Sequence, residues 1–166
     1  MLTMHIAPLL ALTADGEAVH DGAVVVDGGR VVALGPMDEL AAAHPEARVR
    51  RWRGTIRPGV VATGVRELLQ DTYHGDPRDP QRPPDQAESV RRGIHGLLQR
   101  GVTGVVDDLT DADARAAIDR SGLVRYWPGA PTPGLAVGGR ADLAVFDGQG
   151  DCVATVLAGK LVHRRS

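Results

Sequence analysis

The feature that most constrains this chain is the alternation of strand-like and helix-like segments between residues 58 and 128. Short apolar runs begin at residues 60, 101 and 123, and helices are predicted over residues 86–100 and 111–120. Gly101 and Gly122 follow the two helices as stop signals, and Thr110 is the expected N-cap of the second. The order strand, helix, strand, helix, strand predicts a βαβαβ unit with a parallel sheet.

The segments on either side of this unit predict further strands. In GAVVVDGGRVVALGP, residues 22–36, two valine-rich runs flank Asp27-Gly28-Gly29, which predicts a tight hairpin. Residues 5–12 and 48–52 are also predicted as strands, and residues 37–44 as a short helix that begins after Pro36. Residues 134–166 predict two or three short strands with turns at 148–150 and 158–160. The Pro- and Gly-rich residues 129–133 are predicted to be a linker.

Length, charge and cysteine content exclude several classes of protein. The 166 residues fit one compact unit, and the 43% hydrophobic fraction supports a core. A net charge of −2 predicts no nucleic-acid partner, and no stretch reaches the roughly 18 apolar residues that a membrane span needs. Cys152 is the only cysteine, so no internal disulfide can form. Because the first residues also lack the features of a signal peptide, a cytoplasmic location is expected.

Both ends of the chain resemble the ends of amidohydrolase-superfamily enzymes, near the imidazolonepropionases and the chlorohydrolase-like deaminases. GAVVVDGGRVVALGP through TIRPGVV is similar to their N-terminal part, and VGGRADLAVFD followed by VLAGKLVHR is similar to their C-terminal part. The resemblance implies that residues 1–57 and 134–166 pair into one β-sandwich-like composite domain. In the family, a metal-binding (β/α)₈ barrel lies between these two parts of the sequence.

The middle of this chain is too short for such a barrel. A full (β/α)₈ barrel needs roughly 200 residues or more, whereas residues 58–128 supply about seventy. The expected fold class is therefore mixed α/β: a composite β-sandwich-like domain from both termini, plus a truncated parallel βαβαβ unit derived from a barrel. Open strand edges need a cover, so a homodimer is the expected assembly. A full-length enzyme and a small ligand are the other partners considered.

The position that carries the metal ligands of the family is altered. Where those enzymes have His-x-His after the first barrel strand, this chain has Gly64-Val65-Arg66. Glycine offers no ligand, valine is apolar, and the arginine cation would repel a metal ion. The ligands of the family therefore cannot be transferred to any residue here, and no cofactor is expected. Zinc or iron is expected as a cofactor only if the chain is a hydrolase.

A replacement site could draw on polar residues that follow the first two strands of the parallel unit. Asp71, His74 and Asp76 follow the first strand, and Asp107 and Asp108 follow the second. The carboxyl ends of parallel strands are where α/β proteins bind ligands, and histidine titrates in the range suited to proton transfer. The simpler interpretation, which we favour, is a solvated polar loop and a strand-end turn.

Other reactive side chains have structural interpretations. Cys152 lies at the start of a predicted strand and is expected to be a small buried hydrophobe. The remaining histidines are predicted to be surface or interface residues; they are His5, His20, His44, His95 and His163.

Two functions from different classes remain. The first is a non-catalytic amidohydrolase-like (imidazolonepropionase-like) protein that acts as a binding or interaction module, which the loss of every matched ligand favours. The alternative is a residual or repurposed hydrolase of non-peptide C–N bonds, for a cyclic amide or for amine deamination. Its catalytic candidates are His74, Asp76, Asp107 and Asp108. We expect the first function.

Overall fold

The computed structural model describes all residues 1–166, which form eleven strands and three α-helices. The strands are β1 (Leu2–Ala11), β2 (Ala18–Asp27), β3 (Arg30–Pro36), β4 (Arg48–Arg51), β5 (Thr55–Pro58), β6 (Val60–Ala62), β7 (Val102–Val106), β8 (Val124–Tyr126), β9 (Leu143–Phe146), β10 (Cys152–Leu157) and β11 (Lys160–Arg164). The helices are α1 (Met37–Ala43), α2 (Gln86–Gln99) and α3 (Ala112–Ser121), with a π-helical turn at Glu67–Asp71. No helix combines the length and the apolar character needed to cross a membrane. The mixed α/β class is as predicted.

Strands from both ends of the chain join one large sheet. Its order is β11-β10-β9-β5-β1-β2-β3, and β4 pairs with the first part of β1. The junction between the two ends is β5, which runs parallel to β1 and antiparallel to β9. Ile56 in β5 is paired with Leu10 on one side and with Val145 on the other. This four-residue strand was not predicted, yet it connects the N-terminal and C-terminal segments.

The large sheet curves round a shared core. Val24 and Val26 in β2 belong to the same buried cluster as Ala154 and Val156 in β10, although three strands separate β2 from β10 in the sheet order. The predicted sandwich-like arrangement therefore takes the form of one continuous curved sheet. The predicted hairpin is present as β2 and β3, with Gly28 at a φ of 56° in its turn.

A second, smaller sheet contains only parallel strands, in the order β6-β7-β8. Helices α2 and α3 cover one of its faces, and Leu97 of α2 and Ile118 of α3 pack with Val105 of β7 in a buried cluster. Because one helix follows each of the first two strands, the observed order is the predicted βαβαβ order. The derivation of this unit from a barrel stays a prediction.

The start of α3 differs from the prediction by one residue. Asp111, not Thr110, is the N-cap, and its side chain accepts a hydrogen bond from the N–H of Asp113 at 3.0 Å. The hydroxyl of Thr110 accepts instead from Nε2 of Gln70, at 2.8 Å. Both residue types cap helices well, so the contact with Gln70 decides between them. Gly122 ends the helix in the left-handed conformation, as predicted.

Buried contacts join the parallel unit to the large sheet. The hydroxyl of Thr155 in β10 donates to the carbonyl of Leu98, near the end of α2, at 2.6 Å. Leu157, also in β10, packs in the hydrophobic cluster of the parallel unit. The guanidinium of Arg140 donates to the carbonyl of Gly122, at the end of α3. The core of the small unit is thus completed by residues of the large sheet.

Candidate functional site

The position expected for His-x-His lies in the turn that follows β6. Gly64 adopts a φ of 68°, and the side chain of Val65 is 1% exposed in the cluster that also contains Leu69. The backbone N–H of Arg66 donates to Oδ1 of Asp108 at 2.8 Å, while its side chain is exposed. Glycine has no side chain and arginine is a cation, so the two positions where histidines were expected offer no ligand to a divalent metal ion. No metal-dependent step can therefore be assigned to this position.

His74 is fixed against the start of α2. Its N–H donates to the hydroxyl of Ser89 at 2.8 Å, and Ser89 is fully buried. Its Nε2 lies 2.7 Å from the carbonyl oxygen of Leu68. A carbonyl oxygen only accepts, so Nε2 carries the proton and donates. Since Arg92 also donates to the carbonyl of His74, this residue anchors its loop to the helix, and one ring nitrogen remains for other contacts.

Asp76 belongs to an ionic cluster that joins its loop to α2. Its Oδ2 lies 3.5 Å from Arg92 and 3.7 Å from Arg82. Glu88 contacts the same two guanidinium groups at 3.3 and 2.8 Å. The pKa of Asp76 is below its ordinary value because the N–H of Arg78 bonds to it and nearby arginines favour the carboxylate. Asp76 is therefore a charged group that holds the Pro-rich loop to α2.

Asp107 is held by two arginines after β7. Its Oδ2 lies 2.8 Å from Arg125 and 3.3 Å from Arg115, and its Oδ1 accepts from the N–H of Leu109 at 3.0 Å. Burial raises the pKa of Asp107, but the bonds from Arg125 and Leu109 and the charge of Arg115 outweigh it, so the pKa is lowered. A carboxylate held in its charged form is a poor proton donor at neutral pH.

The four candidates fall into two groups with different partners. His74 and Asp76 contact α2, whereas Asp107 and Asp108 contact β8, α3 and the turn after β6. No group of three or more His, Cys, Asp or Glu side chains is placed to hold a metal ion. The contacts of these four residues hold the loops that follow the carboxyl ends of the parallel strands.

Gln70 links these loops and was not singled out in the sequence. Its Oε1 accepts from the N–H groups of Thr110 and Asp111 at 2.8 and 3.1 Å. This contact joins the π-helical turn after β6 to the loop after β7. Because its partners lie about forty residues further along the chain, no local pattern could have identified it.

Two other residues with reactive side chains, His5 and Cys152, lie within strands of the large sheet. His5, predicted to be at the surface or an interface, is instead 2% exposed inside β1. Its Nδ1 accepts from Nε1 of Trp52 at 3.0 Å, and burial together with the charge of Arg50 lowers its pKa to about 4. Cys152 is half-buried at the start of β10, with its Sγ 3.4 Å from the carbonyl of Ala154.

The free edge of β6 borders two cavities. One, of about 460 Å³, lies on the side of α2 and has Glu67 and Arg100 among its lining residues. The other, of about 750 Å³, lies between β6 and the large sheet. Neither cavity contains His74, Asp76, Asp107 or Asp108.

Comparisons with known proteins support the resemblance: a family model matches part of the N-terminal end, and solved structures share the fold. Residues 22–47 match the family model of the imidazolonepropionase-like composite domain of bacteria. No curated protein sequence matches the chain. Among solved structures, the chain is similar to A. niger ochratoxinase, with 22% identity, a TM-score of 0.55, and coverage of 78% of this chain and 32% of that chain.

Two guanine deaminases are similar to a comparable extent. The enzyme from Bradyrhizobium japonicum gives 18% identity, a TM-score of 0.56, and coverage of 75% of this chain and 34% of that chain. The E. coli enzyme gives 17% identity, a TM-score of 0.55, and coverage of 82% and 39%. The chain thus spans between 32% and 39% of the length of these three structures. Likeness at this level of identity concerns the fold alone.

Proposed function

We propose that this chain is a non-catalytic, amidohydrolase-like protein that acts as a binding or interaction module. The observation that carries the proposal is that Gly64 and Arg66 occupy the two positions where the family has the histidines of its His-x-His, with Gly64 at a φ of 68° and Arg66 exposed. Metal-assisted hydrolysis needs several nitrogen or oxygen ligands that converge on one ion, with a position left open for water. Glycine has no side chain and the guanidinium of Arg66 is a cation, so neither position supplies such a ligand.

The alternative is a hydrolase of non-peptide C–N bonds that uses His74, Asp76, Asp107 and Asp108. Two observations support it. The fold is similar to that of two guanine deaminases, and polar residues follow the carboxyl ends of the parallel strands. Against it stand the partners that these residues already have, because Asp76 and Asp107 each form ion pairs with two arginines. We therefore place the alternative second.

Metal content is the measurement that separates the two functions. Untagged protein is purified without chelator, offered zinc, iron and manganese, and submitted to elemental analysis beside a His74→Gln variant. We expect less than one equivalent of any metal in both proteins. One equivalent that is lost in the variant would overturn the proposal, and a deaminase and amidase screen would then follow.

The interaction part of the proposal concerns the open edges of the parallel sheet. Both β6 and β8 are edge strands, Val60 is 38% exposed, and Trp127, which follows β8, is 73% exposed. Edge strands of this kind pair readily with another chain. A symmetric homodimer is the assembly that we propose, in a reducing cytoplasm where Cys152 stays free. A full-length enzyme is the other partner that could cover the same edge.

Sedimentation at micromolar concentration tests this assembly. Val60→Lys places a charge on the edge of β6, and Val32→Lys is its control because Val32 has the same 38% exposure in β3 of the large sheet. We expect a dimer for the wild type and for Val32→Lys, and a weakened dimer for Val60→Lys. A wild-type monomer would contradict the homodimer.

A further inference from the structure

The cavity of about 750 Å³ lies at the opposite end of β6 from the candidate residues. Its walls come from β5 and the first residues of β6, from the end of β9 and the turn after it, and from Thr132 in the linker. Pockets for small organic ligands have volumes of this order. The large sheet, the parallel unit and the linker therefore border a half-open space of the right size for a small molecule, in which Arg57 is exposed.

Hydrogen bonds fix the walls of this cavity. The N–H of Gly59 donates to the carbonyl of Asp142 at 3.0 Å, and the N–H of Val60 donates to the carbonyl of Gly101 at 2.9 Å. In the turn after β9, Oδ1 of Asp147 accepts from the N–H groups of Gln149 and Asp151, each at 2.9 Å. A cavity with fixed walls loses little entropy when a ligand enters.

The lining combines apolar surface with one free positive charge. Leu9, Val61 and Phe146 contribute apolar side chains, and Arg57 contributes a guanidinium. Arg57 makes no ion pair and no side-chain hydrogen bond in the structure. The carboxylate of the lining, Asp147, already bonds within its own turn and lies 3.9 Å from Arg165. The charge that remains available to a ligand is therefore that of Arg57.

We propose that this cavity binds a small monocarboxylate with an aromatic or branched aliphatic body. A guanidinium binds a carboxylate through two parallel hydrogen bonds, which gives Arg57 its role. The body of the ligand lies against Leu9, Val61 and Phe146, where it loses its contact with water. The site goes beyond the proposed function, because binding of a carboxylate here does not depend on whether the chain binds a metal. The metal measurement therefore does not test it.

Titration of ¹⁵N-labelled full-length protein with benzoate tests the site by nuclear magnetic resonance. We expect saturable shifts of the backbone amides of Thr55, Arg57, Val61 and Gly148, all of which line the cavity. Benzamide has the same ring without the charge, and we expect it to bind at least about tenfold more weakly. This comparison uses the wild type alone, so it holds even if a variant fails to fold.

Two arginine variants complete the test. Arg57→Gln removes the charge from the cavity, and Arg53→Gln is the matched control, since Arg53 is exposed close by in sequence but does not line the cavity. We expect Arg57→Gln to bind benzoate at least about tenfold more weakly, and Arg53→Gln to bind it as the wild type does. Equal affinity for benzoate and benzamide, or shifts confined to residues outside the cavity, would overturn the proposal.

Discussion

The large sheet and the parallel unit complete their cores in different ways. In the large sheet, β5 is paired on both sides and the curvature brings β2 and β10 round one shared core. The parallel unit has three strands, helices on one face only, and a core that includes Leu157 of β10. The shared core of the large sheet therefore contains no residue of the parallel unit, whereas the core of the parallel unit depends on the large sheet. The free edge of β6 and the 460 Å³ cavity lie in the dependent part, and the 750 Å³ cavity lies where that part meets the large sheet.

The largest effect is expected when one core residue is replaced in each region. Ile56 in β5 and Leu69 in the π-helical turn are both fully buried. We expect Ile56→Ala to lower the free energy of unfolding by about 2–5 kcal/mol and to accelerate amide exchange in both regions. Leu69→Ala should accelerate exchange in the parallel unit alone. Faster exchange in the large sheet alone for Ile56→Ala, with the parallel unit unaffected, would contradict the dependence.

The next test uses the histidine buried in the large sheet. The pKa of His5 is lowered to about 4 in the folded chain, against about 6.5 for an ordinary histidine. The unfolded chain therefore binds the proton more tightly, and folding stability that is complete above pH 6.5 is lost as the pH falls toward 4. The loss amounts to roughly 3 kcal/mol.

Denaturant unfolding between pH 4 and pH 7 measures this loss. His5→Asn keeps an acceptor for Trp52 but does not titrate in this range, so we expect a smaller fall in stability with acid. His20→Asn, at an exposed position in β2, is the control and should follow the wild type. Identical pH profiles for His5→Asn and the wild type would show that His5 is not the titrating group.

The smallest expected effect concerns the contact between the two regions. Thr155→Val removes the hydroxyl that donates to the carbonyl of Leu98, and this partly buried carbonyl keeps only its bond from the N–H of Gly101, at 3.2 Å. We expect a loss of about 1–2 kcal/mol, with faster amide exchange at the end of α2. Thr3→Val, in β1 of the large sheet, is the control. An equal loss for both variants would mean that the bond to Leu98 does not couple the regions.

The parts of the fold that depend on local signals could be predicted from the sequence. The β2–β3 hairpin follows from valine-rich runs on either side of Gly28-Gly29, and α2 from its apolar face and the glycine after it. The order of the parallel unit follows from the alternation of the same signals. Each of these elements lies within a short stretch of chain, so the residues that determine it are neighbours in sequence.

The parts that depend on distant contacts could not be predicted. Thr55–Pro58 contains an arginine and a proline, and it is a strand because β1 and β9 lie on either side of it. Asp111 caps α3 because Gln70 engages Thr110. His5 is buried because Trp52 donates to its ring. At the candidate site, the sequence indicated Asp76 and Asp107 as catalytic candidates or as parts of a solvated loop and a turn, and their arginine partners are set by tertiary structure.

The pairing of β5 with β9 also has a consequence during protein synthesis. Ile56 leaves the ribosome well before Val145, its partner in the finished sheet. Until the C-terminal segment emerges, β5 lacks its partner on one side, and the parallel unit lacks Leu157 in its core. Long-range pairing of this kind slows folding and leaves strand edges exposed to other nascent chains. The C-terminal segment therefore completes a sheet that the N-terminal segment begins, because β9 pairs with the free side of β5.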